Sequence, residues 1–249
     1  MQILSTAHTP TPRCLCCGYA FRPQELTGPT VTCPVIGCYS VFDREELDQV
    51  LPPPQKQNID AGVTARQPDG APCEVFYGRD GNGEIIVTGV SGNPTTLVIE
   101  ESVGGRAVMG VAPGAFANKT SLRRITLPDT VSVVGENAFA GCTALEQVTF
   151  GKGLTLLDKG CFRNCTSLDS VTLPARLQEI GRDAFANCEA LEQVVLLGQV
   201  QVIRDGAFAF CIRLSELTYP EKPRRVASGA FVACYALPQA LQDQLLPSV

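Results

Sequence analysis

The sequence predicts a repeat solenoid, mainly β with short helical or 3₁₀ turns, in which 23-residue coils stack behind a small N-terminal cysteine-bearing module. Three observations predict it. Phe116, Phe139, Phe162, Phe185, Phe208 and Phe231 recur every 23 residues without an insertion. Six residues after each Phe stands Leu122, Leu145, Leu168, Leu191, Leu214 or Leu237. A period-2 apolar pair then follows, such as Ile125 and Leu127 or Val171 and Leu173, which is strand spacing. One such coil cannot bury these positions alone, so each requires a stacked neighbour.

In chain order, RCLCCGYAF carries Cys14 and Cys17, and TCPVIGCYSVF carries Cys33 and Cys38, each pair followed by aromatic residues. Two cysteine pairs on tight turns can converge on one tetrahedral zinc. Cys17 is preferred to Cys16 because it stands in C-x2-C register with Cys14 and precedes Gly18, which tolerates a knuckle turn. The second pair, C-x4-C, is looser than the usual C-x2-C, and disulfides or free thiols are the alternatives. The segment resembles a zinc ribbon, and residues 1–42 are taken as that module. Four thiolates around Zn2+ would leave no open position for catalysis, so the site is structural, with metal supplying most of the module's folding energy.

Residues 43–72 are expected to connect: DREELDQVL reads as a short helix, PPPQKQ as a stiff linker, and 55–72 as a polar loop. The solenoid with its C-terminal cap takes 73–249. Near its start GRDGNGE reads as a hairpin turn, and Cys73 is given no role. In the coils, Pro128, Pro174 and Pro220 stop the strands because proline cannot donate to a ladder. The x-x-A-F-x-x-C segment reads as one or two helical or 3₁₀ turns. Three residues after the Phe come Lys119, Cys142, Cys165, Cys188, Cys211 and Cys234. Cysteine suits a tight inward turn as a small, soft hydrophobe. Coils about 4.8 Å apart put neighbouring Cα atoms within disulfide range, but parallel Cβ vectors keep the sulfurs from bridging. In ALPQALQDQLLPSV, Leu237, Leu241 and Leu245 share one helical face, as a cap closing the last coil requires.

The phrase G-A-F-x-x-C-x-x-L-x-x-V-x-L-P, followed by x-I-G-x-x-A-F, resembles the BspA-like (treponemal-type) leucine-rich repeat from about Gly83 to Leu237. That resemblance implies a right-handed solenoid with a sheet along one face, used for binding proteins. It also implies that secreted or surface adhesins are among the relatives.

Other classes find little support. The balance of 20 Lys+Arg against 25 Asp+Glu lays down no footprint for nucleic acid or an anionic membrane. Nucleic-acid association through the ribbon is the alternative function, but Arg13 and Arg22 are nearly its only basic residues, too few for several phosphate contacts. The single histidine, His8, stands in a terminal segment, which argues against Ser-His-Asp and Cys-His catalysis and so against an enzyme or a small-molecule substrate. No apolar run reaches the roughly 20 residues that span a bilayer. The opening MQILSTAHTPTPRC has no basic stretch followed by an apolar one, so a cytoplasmic location is expected, with the cell surface as the alternative for a chain whose leader is missing.

The remaining expectation is a protein-interaction scaffold. Offsets eight and ten from each Phe alternate with the buried strand positions and face outward. They are Arg124 and Thr126, Gln147 and Thr149, Ser170 and Thr172, Gln193 and Val195, Glu216 and Thr218, expected to form a continuous groove for a protein partner.

Overall fold

A computed structural model of the chain describes residues 30–32, 41–43, 63–66 and 72–245. The chain divides into two compact units, Met1–Gln57 and Asn58–Val249. In the first unit, β1 (Thr30–Thr32) pairs antiparallel with β2 (Val41–Asp43), setting Thr32 opposite Val41. Asp43, read as the start of a helix, ends β2 instead; the rest of that expected helix lies outside the described residues. So do Cys14, Cys17, Cys33 and Cys38.

The second unit opens with antiparallel strands β3 (Val63–Arg66), β4 (Pro72–Arg79) and β5 (Ile85–Val90). The expected loop over 55–72 therefore contains a strand. V-T-A-R is too short for its pattern to be legible, and it becomes a strand by pairing along β4. The GRDGNGE turn joins β4 to β5 as expected: Asp80 Oδ1 accepts the amides of Asn82 and Glu84, both at 2.9 Å. Cys73, without a role in the sequence, is buried in β4 as part of the core.

From there each coil contributes two strands, not one. The expected strand after each Leu appears as β9 (Arg124–Thr126), β11 (Gln147–Thr149), β13 (Ser170–Leu173), β15 (Gln193–Leu196) and β17 (Glu216–Thr218), preceded by β6 (Thr96–Val98). A second set has two residues per coil: β10 (Val133–Val134), β12 (Leu156–Leu157), β14 (Glu179–Ile180), β16 (Val202–Ile203) and β18 (Arg225–Val226). These run parallel from β8 (Arg106–Val111), which also pairs β5 and the short β7 (Ser102–Val103), into one ten-stranded sheet. A continuous sheet thus runs along the coil, as the resemblance implied, but it is built from the two-residue strands, while the longer strands form two further three-stranded sheets.

The turn segment around each Phe is neither α nor 3₁₀ helix but a string of β-turns, and its hydrogen bonds explain why. In the Phe162 coil, the amides of Cys161, Arg163 and Cys165 bond back to carbonyls three residues earlier. The amides between them, on Gly160, Phe162 and Asn164, donate instead to Arg182, Ala184 and Ala186 of the next coil at 2.7–2.9 Å. Alternate amides thus point along the stack, which a continuous helix forbids. Left-handed residues flank the Phe to turn them: Gly160 at φ 60° and Asn164 at φ 61°. Gly160 meets a second demand, because a Cβ there would lie 2.3 Å from Oδ1 of Asn137 one coil earlier.

Side chains complete the stack. Six Phe rings lie face to face with centroids 4.9–5.3 Å apart, and all are buried. Each thiol of the cysteine column donates to the Phe carbonyl one coil earlier, from Cys142 to Phe116 at 3.1 Å through Cys234 to Phe208 at 3.0 Å. Phe139 O also accepts the Cys142 amide, so its two lone pairs are both used. A thiol fits because it is small and apolar yet still a donor. Where the column begins, Lys119 turns away and its Nζ donates to Gly92 O at 3.0 Å. At the other end the helix Gln239–Leu245 covers the last coil with Leu245 buried and Leu241 packed on the core.

Phe162 and Phe185 each stack between two rings, whereas Phe231 has one ring neighbour. Phe162→Ala and Phe185→Ala are expected to cost about 3–5 kcal/mol each in urea unfolding, and Phe231→Ala less. Equal losses at all three would contradict a stack built from nearest-neighbour contacts.

Candidate interaction face

The outward residues of the longer strands come together as the 23-residue spacing requires. Arg124 pairs in register with Gln147 and Thr126 with Thr149; Gln193 stands between Ser170 and Glu216, and Val195 between Thr172 and Thr218. All are exposed except Thr126 and Val195, which are half-buried, and the residues between them are buried. Alternation along the strand makes this division: one face closes the core and the other is free to meet a partner.

The face is not one ladder. It is built from two three-stranded sheets, β6-β9-β11 and β13-β15-β17, and no strand pairing joins β11 to β13. The expected groove is thus carried by two ladders, a first and a second patch, with β11 and β13 lying next to each other where they meet. Thr96 and Val98 of β6 extend the first patch one coil further, opposite Arg124 and Thr126. They stand 28 residues before those partners, so the 23-residue phase misses them. The alternation of Leu97 and Ile99 in TTLVIE is the signal that could have found them.

The patches differ in charge. Arg123 Nε donates to Glu146 at 3.0 Å beside Arg124. In the second patch Asp169, Ser170, Glu192, Gln193, Ser215 and Glu216 line a shallow recess of about 430 Å3. There Gln193 Nε2 donates to Glu216 at 2.7 Å, Ser170 Oγ donates to Asp169 at 2.8 Å, and Arg213 pairs with Glu192. These exposed contacts position side chains and add little stability.

The cysteine column offers no nucleophile or metal ligand. Burial pushes the Cys142 and Cys188 thiols up to about 12 and Cys234 to about 11, and holds Cys161, Cys165 and Cys211 well above 9.0. Thiolate is the reactive and metal-binding form, so these side chains stay inert at neutral pH. Among the described residues no group of three or more His, Cys, Asp or Glu side chains is placed to hold a metal. His8 lies outside the described residues. No helix among the described residues is long and apolar enough to cross a membrane.

A parallel β-coil with a Phe and a cysteine column defines a leucine-rich repeat solenoid, and comparison with known proteins gives its kind. Residues 111–238 match the BspA type leucine rich repeat region in six copies. The chain belongs to that family. It is similar to the crystal structure of a T. pallidum leucine rich repeat protein, at 32% identity over 69% of this chain and 91% of that chain, with a TM-score of 0.56. A leucine-rich repeat protein from Bacteroides ovatus is 23% identical over 66% of this chain and 50% of that one, with a TM-score of 0.48. A leucine rich cell surface protein from Faecalibacterium prausnitzii is 24% identical, covering 72% of this chain and 54% of that one, with a TM-score of 0.45. No curated protein matches the chain.

The raised thiols give a pH prediction. In the unfolded chain they ionise near 9.0, while the folded chain holds Cys188 neutral to about 12. Above pH 9 the unfolded state therefore binds fewer protons, so this contribution is complete below that value and is lost as pH rises towards 12. Urea midpoints are expected to fall between about pH 8 and about pH 10.5, with a smaller fall in a Cys165→Ala, Cys188→Ala double variant. An identical fall in both would assign it to other groups.

Proposed function

We propose that the protein is a non-catalytic protein-interaction scaffold that docks a protein partner on the outward face of its longer strands. The observation that carries this reading is the register of that face. Exposed residues of neighbouring coils stand side by side on strands whose other face is locked into the core. A surface fixed in this way loses little conformational freedom on binding. Membership of the BspA-type repeat family supports a binding or adhesin-like role over catalysis. Affinity per coil is modest, because the outward residues include no aromatic anchor of the kind that dominates hot spots.

The same proposal includes a structural zinc ion held by Cys14, Cys17, Cys33 and Cys38. It is supported by the β1–β2 pairing, which brings together Thr32 and Val41, the two ends of the segment that contains Cys33 and Cys38. Bound there, zinc supplies folding energy to a segment with little core of its own.

Two measurements test these roles. Gln147→Arg with Gln193→Arg is expected to leave the melting temperature nearly unchanged, since both side chains are exposed, and to abolish partner capture. Capture that survives the double change places the binding surface elsewhere. Elemental analysis of protein purified without added metal is expected to give about one zinc per chain, falling when Cys14 and Cys17 are replaced by serine. Thiols that all titrate freely, with no metal present, would sink the zinc assignment.

A further inference from the structure

The turn ladder that joins the coils has an open end. In each coil up to that of Phe208, the amides of the Phe and of the residue two positions later donate to the next coil: Phe185 to Ala207, Asn187 to Ala209, Phe208 to Ala230, Phe210 to Val232. The last coil repeats this geometry, with Ala233 left-handed at φ 59°, but no coil follows it. Among the described residues the amides of Phe231 and Ala233 donate to nothing. The terminal helix covers the core leucines without reaching these donors. Instead it walls a recess of about 520 Å3 whose lining includes Phe231, Ala233, Tyr235, Pro238 and Gln242.

The surface around the recess changes character there. The position four after the Phe reads Thr120, Thr143, Thr166 and Glu189, then Ile212 and Tyr235. The position two after reads Asn118, Gly141, Asn164 and Asn187, then Phe210 and Ala233. Phe210 is 51% exposed, Ile212 42%, Val232 50% and Tyr235 82%, so four of the exposed large apolar side chains fall on the last two coils, while Phe76, Val98 and Leu197 stand singly elsewhere. Phe210 keeps φ 61°, a conformation that Asn and Gly adopt more cheaply and that they occupy in the first four coils. A left-handed Phe costs backbone energy that Asn or Gly would not, so local backbone preference does not account for the residue at this position.

We propose that this end of the solenoid binds an extended segment of a partner protein, which continues the ladder as an added coil would. The segment offers main-chain carbonyls two residues apart to Phe231 and Ala233, and apolar side chains to Val232, Phe210 and Tyr235. Donor and acceptor matching selects this occupant. Phe231 and Ala233 present amide donors, so the occupant of this turn must offer carbonyls, and a second copy that set the same turn against itself about a two-fold axis would place N–H against N–H. Added-strand recognition of this kind takes affinity from the main chain and specificity from flanking side chains. This site is separate from the strand face, and either can hold if the other fails.

The probe is a labelled synthetic peptide of the chain's own sequence Gly181–Leu191, whose Arg182, Ala184 and Ala186 carbonyls accept these bonds inside the stack. Fluorescence anisotropy with the full chain is expected to show saturable binding. Phe210→Asn, Val232→Ala and Tyr235→Thr together, each taken from another coil, are expected to weaken it by about tenfold or more. Hydrogen exchange at the Phe231 and Ala233 amides is expected to slow when peptide is bound. No binding at millimolar peptide, binding that leaves both amides unprotected, or equal binding by the triple variant overturns the proposal. So does a wild-type chain that sediments as a dimer through this surface.

Discussion

The division of backbone amides in each turn segment is the constraint on which the rest of the protein depends. One amide bonds back within its own coil and the next bonds forward to the following coil, and this alternation continues across the Phe. It fixes the spacing between coils at little more than a strand separation, the distance at which Phe rings stack and a thiol reaches the preceding carbonyl. It also dictates left-handed residues on both sides of the Phe, and through them the columns of Asn, Asp and Gly. Inward side chains can then be repeated almost without change, because every coil meets the same neighbour.

Function follows from what that repetition leaves free. The inward positions are so tightly set that variation is confined to outward columns, where Arg, Gln, Ser, Thr and Glu alternate on a backbone that cannot yield. The buried thiols are held neutral by the same packing, so a cysteine-rich interior coexists with an absence of thiol chemistry in that column. Charge differs between the two strand patches, and the break between β11 and β13 falls where the sequence GKGL replaces the usual proline-bearing exit.

A finite stack must also end. At the N-terminal side antiparallel strands β3 to β5 close the ten-stranded sheet. At the other side a seven-residue helix shields the core, while forward-pointing amides and exposed Phe210 and Tyr235 remain beside it. The strands of each coil exchange donors and acceptors with the next in both directions, whereas the turn segment sends its alternate amides forward, so those turn amides are what the last coil leaves over.

Much of this was legible in the sequence. The Phe and Leu columns, the strand after each Leu, the cysteine ladder and the leucine face of the cap could be read because burial repeats them every 23 residues. The outward residues were legible too, since period-2 alternation fixes direction once the buried partner is known. What the sequence could not supply were features made by pairing alone: the two-residue strands of the second sheet, strand β3, Thr96 and Val98 in the longer first coil, and the break in the ladder after β11. Segments of two to four residues carry no periodicity, and their strand character comes from a neighbour's hydrogen bonds. The sequence by itself determined which residues are core and how often the coil repeats. Only the tertiary structure decided where backbone groups find partners, because that depends on the chain 23 residues away rather than on the side chains beside them.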